Sequence, residues 1–260
     1  MDQAKHYVCE SCMTPIPSGH KFCGTCGASV PEHVLTPKVA FFSEMQNPAK
    51  ARLLLVRGDG MDGLSYHLKA EQHIVGRSGQ IEFSKDPFVS PRHANLFYRD
   101  GHLVVRDEGS LNGVYFRVRG TVELAPGDQF ICGEQLFRVE PTPRTADAPD
   151  ADGTFFYSSP RQVGPFRVIQ LLEGGAAGAM VNAESTTIGI GREGQDLNFI
   201  DDLHMSLHHA TLELRDGKFF LTDHESRNGT YVRLKAEQPL GHGDYLFVGR
   251  KLLRVELNVN

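Results

Sequence analysis

The chain repeats itself. When residues 51–260 are laid against themselves, Gly76-Arg77 and Gly191-Arg192 fall 115 positions apart, and one added residue then fixes the offset at 116. Ser90 and Ser206, His93 and His209, Asn112 and Asn228, Asp128 and Asp244, and the closing FRVE at 137 and LRVE at 253 all keep that spacing. A period this long in two copies is a tandem duplication of a whole fold, because stacked short-repeat architectures recur every 20 to 50 residues or so. The length of 260 residues agrees: at about 150 residues per domain it accommodates two compact domains and something small.

The pattern inside each copy is that of strands. Short alternating runs such as HLVVRD and KFFLTD follow Asp100-Gly101 and Asp216-Gly217, pairs that favour the positive φ of a two-residue hairpin turn. Turn residues recur every 8 to 12 positions and no stretch of a dozen shows a 3.6-residue period, which predicts an all-β fold of two β-sandwiches with little helix. The boundaries expected are 51–140 and 166–260. Residues 141–165, rich in Pro, Ala and Asp, read as a linker between them, about 25 Å in span if flexible. Phe155, Phe156 and Tyr157 in it are candidates for docking on a neighbouring domain.

Four of five cysteines lie in the first 26 residues, as Cys9-x2-Cys12 and Cys23-x2-Cys26. Each pair lets two thiolates point from one tight turn at one ion, and two facing pairs complete a tetrahedral site. Gly24 and Gly27 suit those turns, while Met13 stands where glycine often follows the first pair. We expect residues 1–30 to form a zinc ribbon, joined by a linker at 31–50, with metal binding supplying most of the folding free energy of so small a module. Four sulfur ligands leave no open position for catalysis. The segment CESCMTPIPSGHKFCGTCG resembles the small bacterial zinc-ribbon family. Cys132, in QFICGEQ, reads as a small buried apolar residue.

Each long repeat resembles the forkhead-associated (FHA) domain, a β-sandwich that reads phosphothreonine peptides through loops at one end. The resemblance rests on GRSGQIEF, SPRHA and SLNGVY in the first copy and GREGQDLNF, SLHHA and SRNGTYV in the second. It implies that Arg77 and Arg192 grip the phosphate, whose oxygens suit the paired donors of a guanidinium. It implies too that Ser90 and Ser206 donate their hydroxyls to it, and that Asn112 and Asn228 hold the peptide backbone. His93 and His209 would brace the loops from behind, together with Gly76, Gly191, Gly113 and Gly229. The copies differ where the family often supplies further donors. Pro91 has no amide proton and Leu111 no polar group, whereas Leu207 keeps its amide and Arg227 adds a cation. The second domain is therefore expected to be the stronger reader.

Composition narrows the rest. A net charge of -5 argues against a chain that coats a polyanion, and no apolar run approaches the roughly 20 residues of a membrane span. MDQAKHYVCESC has no apolar stretch of signal-peptide type, so a reducing cytoplasm is expected. A catalytic reading of the Ser/His pairs fails because no acidic residue recurs where it would orient the histidine. The expectation is a non-enzymatic adaptor in Ser/Thr kinase signalling that binds phosphothreonine proteins and carries one structural Zn2+. Oligomeric state is left open. The alternatives are a phosphorylation-independent scaffold and a nucleic-acid regulator acting through the ribbon, which has few cations near it, Lys5, His6 and Lys21 among them. Thr36, Thr142, Thr145 and Thr154 are candidate phosphorylation sites that would bind back into a domain.

Overall fold

The structure, a computed structural model, describes residues 7–16, 20–31, 51–56, 62–143, 148–159 and 164–257. Lys5, His6, Thr36 and Thr145 lie outside them, as does most of the expected 31–50 linker. Among the described residues the regular structure is strand, apart from one 3-10 turn at Glu173–Gly175. The ribbon contributes β1 (Tyr7–Val8) and β2 (Pro15–Ile16). The first repeat supplies β3 (Ala51–Val56), β4 (Asp62–Leu68), β5 (Gln72–Gly76), β6 (Ile81–Glu82), β7 (Ala94–Arg99), β8 (His102–Asp107), β9 (Val114–Arg117), β10 (Thr121–Leu124), β11 (Gln129–Cys132) and β12 (Gln135–Pro141). The second follows in the same order with β13 (Phe166–Leu171), β14 (Ala177–Asn182), β15 (Thr187–Gly191), β16 (Leu197–Asn198), β17 (Ala210–Arg215), β18 (Lys218–Asp223), β19 (Thr230–Arg233), β20 (Gln238–Leu240), β21 (Tyr245–Val248) and β22 (Lys251–Leu257). The two Asp-Gly pairs form the β7–β8 and β17–β18 turns, with φ of 50° and 79° at Asp100-Gly101 and 51° and 77° at Asp216-Gly217. Positive φ at both central residues is the turn whose twist matches the flanking strands.

The sandwiches do not follow the contiguous boundaries 51–140 and 166–260. One compact unit comprises Met1–Val114 with Leu234–Asn260, the other Tyr115–Arg233. In the first unit β3 pairs with β22, Leu53 opposite Val255, and β8 pairs with β20, Leu103 opposite Leu240. In the second, β13 pairs with β12, Val168 opposite Val139, and β18 pairs with β10, Phe219 opposite Leu124. The repeats have exchanged their closing strands. The chain passes between units at β9 and β19, which pair antiparallel with Tyr115 opposite Arg233.

The core of the second unit shows what the exchange buries. Leu124, Phe130, Phe137 and Val139 from the first repeat pack with Phe166, Ile188, Ile190, Leu212 and Leu221 from the second. At about 1.5–3 kcal/mol for each large apolar side chain removed from water, those four residues contribute about 6–12 kcal/mol. That is comparable to the whole net stability of a typical domain.

Why the contiguous expectation fails is visible in the ion pairs. The terminal strands are interchangeable, because Arg52 pairs with Glu256 and Arg167 with Glu140 at equivalent positions of the two copies. The strands β10 and β20 are not. Glu237, beside β20, bonds Arg99 on β7 at 2.5 Å and lies 3.5 Å from Arg106 on β8, while its counterpart in the first repeat is Thr121, which pairs hydroxyl to hydroxyl with Thr222. Restoring contiguous domains would give those arginines a threonine and Thr222 a glutamate.

The linker expectation changes with this. The Thr142 amide donates to the Pro165 carbonyl at 3.2 Å, and Pro141 faces Phe166 across the β12–β13 pair. Residues 142–165 thus connect two adjacent strands and are not a 25 Å tether. Phe155, Phe156 and Tyr157 are not docked, since Phe156 is 91% and Tyr157 96% exposed.

Candidate functional site

Both sets of candidate loops are built within the leading part of a repeat, so the exchange leaves each set together. In the first unit the β5–β6 and β6–β7 loops are laced by main-chain bonds from Arg77 to the Ser90 carbonyl (3.0 Å) and from Ser78 to the Pro91 carbonyl (3.1 Å). Glycine at 76 is required by crowding, because a Cβ there would lie 2.1 Å from the Pro91 carbonyl oxygen; at Gly191 the Leu207 oxygen would lie 2.0 Å away. Gly113 and Gly229 are required for another reason, their φ of 80° and 84°.

The histidines are wholly buried and span these loops. The Ser90 amide donates to His93 Nδ1 at 3.0 Å, and His93 Nε2 reaches the Gly113 carbonyl at 2.9 Å. His209 repeats this with the Ser206 amide (3.1 Å) and the Gly229 carbonyl (3.1 Å). An Nδ1 that accepts leaves the proton on Nε2, so each ring is a neutral strut. Burial pushes the His209 imidazole below its ordinary value, the stronger influence over the nearby Asp202 and Asp223 carboxylates.

Each serine hydroxyl accepts from the next loop along, Ser90 from the Leu111 amide at 3.2 Å and Ser206 from the Arg227 amide at 3.1 Å. Accepting there leaves the hydroxyl proton to donate outward. Arg77 is exposed and Arg192 half-buried, and neither guanidinium has a partner among the described residues. Asn112 donates to the Phe88 carbonyl (2.8 Å) and Asn228 to the His204 carbonyl (2.9 Å). The structure thereby brings Arg77, Ser90 and Asn112 into one linked set of loops, and Arg192, Ser206, Arg227 and Asn228 into another. The difference at Pro91 is real in geometry, since the Leu207 amide has no acceptor among the described residues and Pro91 has no amide hydrogen.

Three pairs of supporting residues were not singled out from the sequence, though each also recurs at 116. Asp107 and Asp223 accept from the hydroxyls of Ser110 (2.5 Å) and Ser226 (2.6 Å), which in turn accept from the amides of Gly113 and Gly229. Asp86 and Asp202, both buried, accept from the amides of Phe88 and His204. Acidic residues therefore do recur near the histidines, contrary to the sequence argument against catalysis. Their carboxylates are bonded to amides and to Ser110, Ser226 and Thr230, and the histidine nitrogens bond Ser90 or Ser206 through the amide and not the hydroxyl. Among the described residues, the one group bonded to each serine oxygen is a main-chain amide and not a general base.

At the N-terminus the four thiols of Cys9, Cys12, Cys23 and Cys26 lie within 4.8 Å of one another, with Cys9 to Cys26 and Cys12 to Cys23 at 3.5 Å. Tetrahedral coordination at a Zn–S length of about 2.3 Å places sulfurs about 3.8 Å apart, so the cluster fits the ion. Both turns close by matching bonds, Met13 amide to Cys9 carbonyl (2.8 Å) and Gly27 amide to Cys23 carbonyl (2.9 Å). Gly27 has φ 74° and Met13 φ 60°; Gly24, expected to need the same conformation, is outside the positive-φ region. Cys132 is wholly buried, and burial pushes its thiol far above the ordinary range. Among the described residues no helix is long and apolar enough to cross a membrane.

Comparison with known proteins gives this geometry its family. Residues 73–133 and 188–249 each match the FHA domain. An oxoglutarate dehydrogenase inhibitor of Corynebacterium diphtheriae is 34% identical over 95 residues, 35% of this chain and 66% of that one. Its namesake in Corynebacterium efficiens is 34% identical over 76 residues, 28% of this chain and 54% of that one. The matches thus span roughly half to two thirds of these relatives. Among solved structures, the FHA domain of the CT664 protein from Chlamydia trachomatis is 12% identical with a TM-score of 0.32, covering 80% of this chain and 98% of that one.

Proposed function

We propose, from the premise that this chain carries two FHA domains in tandem behind a four-cysteine cluster, that it is a non-enzymatic adaptor in Ser/Thr kinase signalling whose two units bind phosphothreonine peptides. The observation that carries the reading is the same in both units: an arginine whose guanidinium has no partner among the described residues is laced through its amide to the carbonyl of a serine, and that serine's hydroxyl accepts from an amide and so keeps its own proton to donate. A phosphate dianion supplies the acceptors such a pair lacks. Asn112 and Asn228 hold the peptide main chain, and His93 and His209 keep the serines in place. Zinc in the cysteine cluster is structural, and the five unbridged thiols fit a reducing compartment such as the cytoplasm.

The second unit is the stronger reader. It offers the Leu207 amide and the Arg227 guanidinium where the first has Pro91 and Leu111. One charge-assisted hydrogen bond, about 1.5–3 kcal/mol, separates the two affinities by roughly ten- to a hundred-fold. Titration of the full chain with phosphothreonine and plain threonine peptides tests both points. Binding should require the phosphate, and Arg192→Ala should remove most of the tight component while Arg77→Ala removes the weak one. Equal affinity for the two peptides would reject the function; a larger loss from Arg77→Ala would reject the ranking.

A further inference from the structure

The exchange of closing strands changes what stands beside each candidate peptide site. The β21–β22 turn of the second repeat lies against the Asp86 loop of the first unit: the Arg250 amide donates to Asp86 Oδ2 at 3.2 Å, and the Lys251 ammonium is 4.0 Å from the same oxygen. The Arg250 guanidinium is stacked 4.8 Å from the centre of the Phe88 ring, and Phe88 is the residue whose carbonyl takes the Asn112 side chain. Gly249 is pressed on this loop so closely that a Cβ would lie 2.5 Å from Val89. Arg250 is exposed, and its guanidinium has no carboxylate partner among the described residues. A cation is thus held at the rim of the Arg77–Ser90–Asn112 loops by a residue of the other repeat.

The equivalent turn in the second unit comes from the first repeat and has the opposite charge. There the Glu134 amide and the Gln135 side chain donate to Asp202, each at 2.8 Å. The Glu134 carboxylate stands 3.5 Å from His204, whose carbonyl takes Asn228. Contiguous domains would reverse this, placing Glu134 beside Asn112 and Arg250 beside Asn228.

We infer that the peptide site of the first unit is composite, with Arg250 of the second repeat as a specificity-determining residue that selects phosphothreonine peptides carrying a neighbouring carboxylate side chain. Glu134 disfavours the same peptides at the second unit. The inference rests on the phosphothreonine reading above. It gives the two units different targets, and so suits one partner presenting an acidic and a non-acidic phosphosite.

Two measurements on the full chain test it. In the first, an Arg192→Ala background reports the first unit and an Arg77→Ala background the second, each titrated with phosphothreonine peptides bearing aspartate or lysine beside the phosphothreonine. Arg250→Glu should cut the aspartate-to-lysine preference about five-fold in the Arg192→Ala background and leave the other unchanged. An effect confined to the Arg77→Ala background, or none in either, overturns the inference. In the second, a protease site is placed in the exposed Asp150–Thr154 turn and cut. The two fragments should still elute together, because each unit contains strands of both; separation into independent repeats overturns the composite site whatever the peptides do. If the cut fragments stay together and no peptide binding depends on phosphate, it is the phosphothreonine reading that has failed, and the selectivity falls with it.

Discussion

Phe137 lies in the first repeat by sequence and in the second unit by structure, so removing it asks which of the two decides stability. The side chain is wholly buried, packed 5.3 Å from the Phe130 ring and 5.4 Å from the Phe199 ring, on a strand whose neighbour is β13. Phe→Ala in such a core removes the transfer free energy and leaves a cavity that rigid neighbours only partly fill, about 3–5 kcal/mol together. Against a typical net stability of about 5–15 kcal/mol this is a large fraction. It raises the population of open forms by about two to three and a half orders of magnitude in whichever unit contains the residue. Native-state hydrogen exchange read by mass spectrometry resolves the units, because slow amides report local and global opening separately. Peptides from 166–223 should lose protection in Phe137→Ala, while those from 62–113 keep theirs. Loss of protection in 62–113 with 166–223 intact would refute the strand exchange and return the fold to contiguous domains.

Three other outcomes follow from the site. Gly191→Ala sets a methyl against the Leu207 carbonyl, so the second unit should lose about 1–3 kcal/mol in thermal or urea unfolding together with its peptide affinity; unchanged binding would mean that the Arg192 and Ser206 loops are not rigidly laced. Met13→Gly relieves a left-handed main chain by about 1 kcal/mol, and because metal binding and folding are one event in so small a ribbon, the zinc affinity measured by chelator competition should rise about five-fold; no rise would separate the turn from the metal. The buried His209 imidazole is held below its ordinary value of 6.5, so the unfolded chain takes up its proton first on acidification. Stability from this residue is complete above about pH 6.5 and is lost as pH falls through the folded value, so the slope of unfolding free energy between pH 7 and 5 should be shallower in His209→Asn; identical slopes would show that the ring is not the titrating strut.

The sequence made the candidate site loops legible and the strand exchange illegible, for a physical reason. Loops such as Gly76-Arg77, Ser90 to His93 and Asn112-Gly113 are fixed by residues whose chemistry has few uses: a glycine under a carbonyl, a histidine between an amide and a carbonyl, an asparagine on a turn. Such residues announce themselves by type and spacing. Asp86, Asp107 and Ser110 serve the same loops but are types common on any surface, and only their recurrence at 202, 223 and 226 separates them from solvated side chains. The exchange leaves no mark of that kind. FRVE and LRVE complete either sandwich equally well, and every hydrophobic alternation is satisfied whichever repeat supplies the closing strands. What distinguishes the arrangements is pairwise: Glu237 opposite Arg99 and Arg106, where its counterpart Thr121 would leave them without a carboxylate. Lys218 likewise reaches Glu123 at 3.1 Å. Exposed ion pairs of this sort are individually weak, so the choice between contiguous and exchanged forms rests on small differences between two nearly isoenergetic packings. Two copies on one chain make that choice in cis, with the partner strand always at high local concentration. Shifting it should therefore need few changes. Exchanging Thr121 and Glu237 moves the carboxylate from one closing segment to the other, and if charge complementarity decides the pairing, a chain cut between Asp150 and Thr154 should then separate into its two repeats where the parent does not.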